Sequence, residues 1–477
     1  MDEDLPLVVD LDGTLVKSDL LLETLLAALR RSPWVIFALP AWLLRGRAAF
    51  KREMAQRAGA ISPASLPYRR EVLDWLGEER NRGRRVILAT ASDEQVARAI
   101  AEHLGIFDEV LASDGRSNLK GAAKRAALVA RYGERGFDYA GDEKADLQVW
   151  SSARRSIVVS ADRALMAAAA RVSPETRAIP VEAPGLALFW RALRLHQWPK
   201  NLLVFVPLVT AHRVNDAGAV LGAVTAFFAF SLVASSIYVV NDLLDLGPDR
   251  AHARKRNRPF AAGDLGLGWG AALAPLSLLA GLAVATVARP GFVSVVACYA
   301  ILGMLYSAML KRIAGIDILL IAAFYALRIL GGAVAIDVVV SDYLFAFGVA
   351  MFISLALAKR HGELIRATAR GADGPQWLPG RGYRAAHLGR VGWLGTASGL
   401  LSIAVFALYI SSREVTALYR QPGILWIAAA LQLFWVARLW ALAHRGRLDE
   451  DPLSFALHDP PSYAVATLSL LAVYLAT

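Results

Sequence analysis

Apolar and polar residues follow two different rhythms along the 477-residue chain. Up to about residue 180, short apolar runs alternate with charged stretches, as in an α/β domain that folds in water. From residue 187 onward, apolar blocks of about 20 residues follow one another across short polar loops, the length that carries a helix through hydrocarbon. These blocks predict an all-α membrane domain of nine spans, at about 187–211, 217–240, 268–288, 290–309, 313–336, 342–359, 391–410, 422–443 and 462–477. The run PWVIFALPAWLL at 33–44 is too short to cross and contains Pro40. It reads equally as an interfacial helix or as the core of a helical cap. Residues 161–186, rich in Ala and then in Pro, predict a last helix and a linker.

Charge orients the membrane domain. Five cations lie in 250–258, Lys311 and Arg312 follow span four, and seven cations lie in 359–390. The opposite loops hold only Arg213, Arg289, Arg413 and Arg420. This asymmetry places the N-terminus in the cytoplasm and the C-terminus on the far side of the plasma (inner) membrane. A net charge of +11 carried by such loops calls for anionic lipid or phosphorylated substrates and for no nucleic acid. The acidic start MDEDLPLVVD lacks a secretory pattern, and the single cysteine, Cys298, excludes an intramolecular disulfide.

PLVVDLDGTLV is an apolar strand ending in D-x-D-G-T, which sets Asp10 and Asp12 at a carboxyl end where open α/β sheets bind ligands. The spacing lets Asp10 attack phosphorus while Asp12 protonates the leaving oxygen. RRVILATAS ends near Thr90, SNLKGAAK offers Lys120 for developing charge, and FDYAGDEKAD offers Asp142 and Asp146 for Mg²⁺. In order and context these segments resemble the haloacid-dehalogenase superfamily of phosphatases over about residues 5–160. The resemblance implies a Rossmann-like α/β domain at 1–160 with a helical cap at about 16–80. It further implies an aspartyl-phosphate on Asp10, phosphate contacts from Thr90 and Lys120, and a magnesium set of Asp10, Asp12, Asp142 and Asp146.

A second carboxylate group closes the second span. In NDLLDLGPDRAHARKRNRP, spacings of three and four predict Asp242, Asp245 and Asp249 on one helical face beside Asn241, suited to sharing Mg²⁺ with a diphosphate. Arg250, Arg254, Lys255, Arg256 and Arg258 can neutralise the remaining charge. With nine spans, this motif resembles the UbiA family of intramembrane prenyltransferases over about 187–477, which ionise a diphosphate. LHQWPKNLLVF, with Lys200 and Asn201, YSAMLKRIAGID and ALAKRHGEL look like the branch that makes polyprenyl-phosphoryl phosphoribose. That likeness implies phosphoribosyl diphosphate as donor and a polyprenyl phosphate as acceptor. The family's second Asp-rich cluster is missing. Asp317, with Tyr306 and Lys311, stands in an earlier loop, and a sugar phosphate would instead be held by Lys311, Arg328, Lys359 and Arg360. Lys359 and Arg360 also fit helix-end anchors, whereas Arg328 lies within a span and is expected to face a polar cavity.

Joined, the two domains predict a Mg²⁺-dependent bifunctional enzyme that transfers phosphoribose to the lipid and then removes the 5-phosphate. Two alternatives stay open: prenyl transfer to an aromatic or quinone-precursor acceptor, and a phosphatase domain acting as a regulatory module. A homo-oligomer is equally open.

Overall fold

A computed structural model describes residues 5–476 except 60, 115–116, 174, 369–377, 379–380, 414, 416–418, 449–451 and 457. The chain divides into two compact units, Met1–Leu193 with Tyr238–Ala274, and Arg194–Ile237 with Pro275–Thr477.

In the first unit, β1 (Leu7–Val9), β2 (Val86–Asp93), β3 (Glu109–Ser113), β4 (Asp138–Gly141), β5 (Arg155–Val158) and β6 (Glu175–Ala178) form one sheet in the order β3-β2-β1-β4-β5-β6. Every neighbouring pair is parallel. Four helices separate β1 from β2: α1 (Leu20–Arg31), α2 (Val35–Leu44), α3 (Arg47–Ala58) and α4 (Arg70–Asn81). The later connections are α5 (Glu94–Leu104), α6 (Ala122–Tyr132), α7 (Leu147–Trp150) and α8 (Arg163–Val172). β1 is buried on both faces, as a central parallel strand covered by helices must be, which is why LVV is a continuous apolar run. The strand order reverses between β1 and β4, and the pairing of Val9 with Ala140 brings their carboxyl ends together.

The stretch expected to be a helix and linker supplies α8 and also β6, so the sheet reaches Ala178. Glu175–Ala178 has no apolar alternation; backbone pairing to β5 alone makes it a strand, and its side chains stay largely exposed. Under the sheet, the fully buried Asp138 accepts from Arg154 Nε at 2.9 Å and is also bonded to Arg84. Burial alone would raise its pKa; the two guanidiniums outweigh this and hold it below its ordinary 3.8. Asp138→Ala should therefore destabilise the α/β domain by about 3 kcal/mol, because the buried Arg84 and the partly buried Arg154 lose the carboxylate they share, although Arg84 keeps Glu79. The contribution of the native carboxylate is complete above pH 3.8 and is lost as pH falls through the lower folded value, which thermal midpoints measured against pH would show.

In the cap, Ala28 of α1, Val35 and Trp42 of α2, and Met54 and Ala58 of α3 share one apolar cluster. α2 buries Val35 and Trp42 in this cluster, while Phe37 and Leu44 on its remaining surface are 76% and 90% exposed. A further cluster joins Leu22 and Leu26 of α1 to Phe189 of α9 (Leu186–Ala192) and to Val239, Leu243, Leu246, Phe260 and Leu265 of the acidic segment.

Among the described residues, seven helices are long and apolar enough to cross a membrane. They include α11 (Ala217–Leu244), α13 (Leu267–Ala288), α14 (Pro290–Ala308), α15 (Ile316–Ile336), α16 (Asp342–Thr368) and α17 (Leu388–Ile410), while α10 (Val206–Thr210) and α12 (Leu246–Arg250) are short. Leu425–His444 completes the long set, and Pro460–Ala476, the expected last span, is a shorter apolar helix of 17 residues. The expected first span, 187–211, is not one helix. α9 ends, Arg194 takes a left-handed φ of 53°, and Leu195–Phe205 winds as a 3₁₀ segment around Pro199 before α10 begins at Val206. Pro199 and Pro207 each remove a backbone donor that a continuous α-helix would need.

Candidate active sites

At the end of β1 the backbone N–H of Leu11 donates to Asp10 Oδ1 at 2.8 Å, fixing the carboxylate. Lys124 Nζ, 3% exposed, pairs with Asp10 Oδ2 at 2.8 Å and also donates to Tyr139 Oη at 2.8 Å. Tyr139 in turn donates to Asp146 Oδ1 at 2.8 Å. Asp146 Oδ2 accepts from the backbone N–H groups of Asp142 and Glu143 at 3.1 and 3.0 Å, which orients the β4 loop. Thr14 Oγ1 donates to Asp142 Oδ1 at 2.9 Å. Asp12 Oδ1 accepts from Leu20 N at 2.6 Å and Oδ2 from Ser92 Oγ at 2.6 Å. Thr90 Oγ1 lies 3.5 Å from Asp12 Oδ2 and accepts from Ser92 N at 3.0 Å.

Ligand atoms of Asp10, Asp142 and Asp146 lie within 4.8 Å of one another. All are hard carboxylate oxygens, the donor set that suits Mg²⁺. Two glycines preserve their space: a Cβ on Gly13, whose φ is +73°, would fall 2.0 Å from Asp142 Oδ2, and one on Gly141 would fall 2.5 Å from Asp146 Oδ2. Burial, then the charges of Asp10 and Asp146, push Asp142 far above the carboxylate range, and burial with Asp10 also raises Asp146. This mutual repulsion of buried carboxylates is what a divalent cation relieves, so the residues fit the metal. Burial pushes Asp12 up to about 6 against the bonds from Ser92 and Leu20. An acid that titrates near neutrality can both give and take a proton. Burial alone would lower Lys124, but Asp10 and Asp146 more than offset it.

The lysine on Asp10 is thus Lys124, while Lys120, expected as a phosphate contact, pairs with Glu143 at 2.9 Å near the surface. The two are four residues apart on the turn leading into and along α6, and only the packing of that helix on the sheet selects between them. Sequence reasoning also missed Ser92, two residues past Thr90 in a visible ATAS run, and Lys51 on α3. Lys51 Nζ donates to Ala91 O at 2.5 Å and Asn118 Oδ1 at 2.8 Å, and burial lowers its pKa.

The acidic segment departs from the single helical face that its spacing predicts. α11 stops at Leu244, Asp245 takes φ −101° and ψ 17°, and α12 restarts at Leu246. Pro248 lacks the N–H that would bond back to Leu244, so the helix breaks one turn earlier. Asp242 and Asp249, each 2% exposed, consequently converge on Arg258, whose Nη1 lies 3.0 Å from Asp242 Oδ1 and 2.5 Å from Asp249 Oδ2. Asp245 turns aside to Arg30 of α1 at 3.8 Å. Asn241 contributes its carbonyl to Asp245 N at 2.9 Å. Arg250, expected at a diphosphate, is held instead by Glu23 of α1 through two bonds of 2.8 and 2.6 Å. Arg254, Lys255 and Arg256 remain on the exposed surface.

In the second unit the expected polar residues form two groups. Asn201, beside the buried Lys200, donates to Ser231 Oγ at 2.8 Å and accepts from Arg328 Nε at 2.7 Å. Arg328 also donates to Phe324 O and Tyr299 Oη at 2.6 and 2.7 Å, so its guanidinium is engaged on three nitrogens and buttresses Asn201. In the other group, Asp317 accepts from Arg360 Nε at 2.6 Å and from Tyr383 Oη at 2.5 Å. Both its oxygens are therefore occupied by side-chain donors. Arg360, wholly buried, also pairs with Glu363 at 2.5 Å, and its Nη2 has no hydrogen-bond partner among the described residues. Tyr306 Oη accepts from Arg381 at 2.8 Å, and Arg381 reaches Lys311 O at 3.3 Å; Lys311 is buried and Lys359 half-buried.

Buried Asp10 and Asp12 with a carboxylate triad at the strand ends of an α/β sheet, together with apolar helices and a carboxylate–arginine cluster, mark a membrane protein that joins a hydrolase-like α/β domain to a helical transferase-like domain. Residues 7–150 match the haloacid dehalogenase-like hydrolases and residues 202–362 match the UbiA prenyltransferase family. A Sinorhizobium fredii protein, y4nM, described as uncharacterized, is 39% identical over 98% of this chain and 90% of its own length. Nodulation protein NoeC of Azorhizobium caulinodans is 32% identical over 57% of this chain and 88% of its own. Decaprenyl-phosphate phosphoribosyltransferase of Mycolicibacterium smegmatis is 31% identical over 56% and 86%. The chain belongs to the UbiA prenyltransferase family and carries a haloacid dehalogenase-like hydrolase domain at its N-terminal end.

Proposed function

We propose that the chain is a bifunctional plasma-membrane enzyme. Its membrane domain transfers 5-phosphoribose from phosphoribosyl diphosphate to a polyprenyl phosphate with release of diphosphate, and its N-terminal domain then removes the ribose 5-phosphate. The observation that carries the donor assignment is Arg360. Asp317 has both oxygens bonded to Arg360 and Tyr383, and among the described residues a buried guanidinium nitrogen of Arg360 is left for an anion. A buried guanidinium N–H left for an acceptor favours a phosphate oxygen over the neutral hydrocarbon of a prenyl donor. The relatives named decaprenyl-phosphate phosphoribosyltransferase support the same choice.

In the transferase, Asp242, Asp249 and Arg258 would bind the Mg²⁺-diphosphate, and an acceptor phosphate oxygen would displace diphosphate from the anomeric carbon. In the phosphatase, Asp10 forms a bond to phosphorus as the phosphorus–ribose oxygen bond breaks, and Asp12 gives its proton to that oxygen. Water, its proton taken by Asp12, then releases inorganic phosphate from Asp10. Mg²⁺ on Asp10, Asp142 and Asp146 would supply charge neutralisation at the phosphoryl oxygens. Lys124 holds Asp10 and offsets the remaining negative charge. We place both sites on the cytoplasmic side, with nine passages that add the broken 187–211 segment and Pro460–Ala476 to the seven long helices.

Purified protein in detergent with Mg²⁺, radiolabelled phosphoribosyl diphosphate and polyprenyl phosphate should give lipid-linked label and diphosphate first, then inorganic phosphate. Turnover of a prenyl diphosphate with no use of phosphoribosyl diphosphate would replace this donor with a prenyl group. Arg360→Lys keeps the charge but replaces three guanidinium nitrogens with one and so loses Nη2; it should raise KM for phosphoribosyl diphosphate about 10-fold, the equivalent of one charged hydrogen bond of ~1.5 kcal/mol.

A further inference from the structure

Helix α1 belongs to the cap by sequence, yet its polar contacts reach both carboxylate centres of the first unit. Its first residue, Leu20, donates its N–H to Asp12 at 2.6 Å. One turn on, Glu23 binds Arg250 bidentately, with both side chains almost buried at 5% and 6% exposure. Near its last turn, Arg30 lies 3.8 Å from Asp245. Leu22 and Leu26, one turn apart, pack with Val239, Leu243, Leu246 and Phe260 on either side of the helix break in the acidic segment. A 12-residue helix is about 18 Å long, so one rigid rod holds the phosphatase acid at one end and the acidic segment along the rest.

Arg250 ends α12 and adjoins Asp249, whose carboxylate shares Arg258 with Asp242. α12 is a single five-residue turn, and the exposed Arg254, Lys255 and Arg256 follow it. Arg250 is also anchored from its other edge, donating Nε to Ala261 O at 2.9 Å. Its guanidinium is therefore spent on shape, and the carboxylate that holds it comes from the hydrolase domain.

We propose that Glu23 is a positioning residue for the transferase: it clamps Arg250 so that Asp249, Arg258 and Asp242 keep the arrangement that receives the Mg²⁺-diphosphate. The inference rests on the reading of the acidic segment as the donor site, and it makes the hydrolase domain a structural part of the transferase. A bidentate arginine–carboxylate pair shielded from solvent is the kind of contact that fixes geometry, in contrast to the exposed Lys17–Asp264 pair at 3.6 Å.

The test uses the full chain in detergent and compares wild type with Glu23→Gln, which keeps shape and loses charge, and with Glu23→Asp, which keeps the charge. Hydrogen–deuterium exchange over 245–258 should quicken at least ~3-fold in Glu23→Gln while β1, β2 and β4 stay protected. KM for phosphoribosyl diphosphate with Mg²⁺ should rise about 10-fold with kcat within about twofold, hydrolysis of p-nitrophenyl phosphate should stay within about twofold, and Glu23→Asp should recover most of the KM. Unchanged exchange and unchanged KM would overturn the proposal, as would faster exchange spread through the sheet, which would make Glu23 a residue of general folding. If wild type transfers nothing from phosphoribosyl diphosphate, the donor reading falls, and exchange at 245–258 alone decides whether the clamp exists.

Discussion

Asp10→Asn is expected to abolish release of inorganic phosphate from the lipid-linked product, lowering kcat by at least about 10³-fold while formation of that product continues. The reason is geometric. Asp10 Oδ1 is tied to the Leu11 N–H at 2.8 Å and Oδ2 to Lys124 at 2.8 Å, so the attacking group is fixed and its charge is offset before substrate arrives. An amide at this position keeps the shape, cannot attack phosphorus, and removes the anion that Lys124 and the neighbouring carboxylates are arranged around. The substitution should not unfold the domain, because the buried residues Leu7, Val8 and Val9 are untouched. Product analysis by chromatography of the labelled lipid separates the outcomes: phosphoribosyl-lipid should accumulate in the variant and dephosphorylated lipid in wild type. Unchanged phosphate release would show that another phosphatase mechanism, or another enzyme in the preparation, removes the phosphate.

Asp242→Asn is expected to lower lipid-linked transfer by at least about 10²-fold, with hydrolysis of p-nitrophenyl phosphate unchanged. Asp242 is 2% exposed and shares Arg258 with Asp249, so the cluster is two carboxylates to one guanidinium. Removing one carboxylate leaves a neutral pair with no net charge for a divalent cation, a loss worth several kcal/mol where charge develops. Asp245→Asn should be milder, since that side chain pairs with Arg30 at 3.8 Å. Equal losses at Asp242, Asp245 and Asp249 would mean that all three act together when donor is bound. Measured initial rates of label transfer, with magnesium titrated for each variant, decide this.

Much of the molecule was legible because its signals are local. Apolar blocks of membrane-spanning length predict long helices whatever they pack against, and seven of them are found among the described residues. The first block misled because Pro199 and Pro207 break the helix that its hydropathy allows. Asp10, Asp12 and Asp142 could be read from strand ends, since a parallel sheet with a reversal between β1 and β4 puts those ends side by side. β6 was not legible, for its four residues show no apolar alternation and are strand only through β5.

By itself, the sequence determined two domains, their order, the membrane character of the second and the carboxylates that cluster at each candidate site. These follow from composition and from spacings of a few residues, where one element dictates its own conformation. Only the tertiary structure decided which lysine meets Asp10, why Asp245 leaves its neighbours, and that Arg250 answers to Glu23, 227 residues away in the chain. Such choices depend on which surfaces meet once burial has set the helices in place, and a contact between distant residues leaves no periodicity in either of the segments that make it.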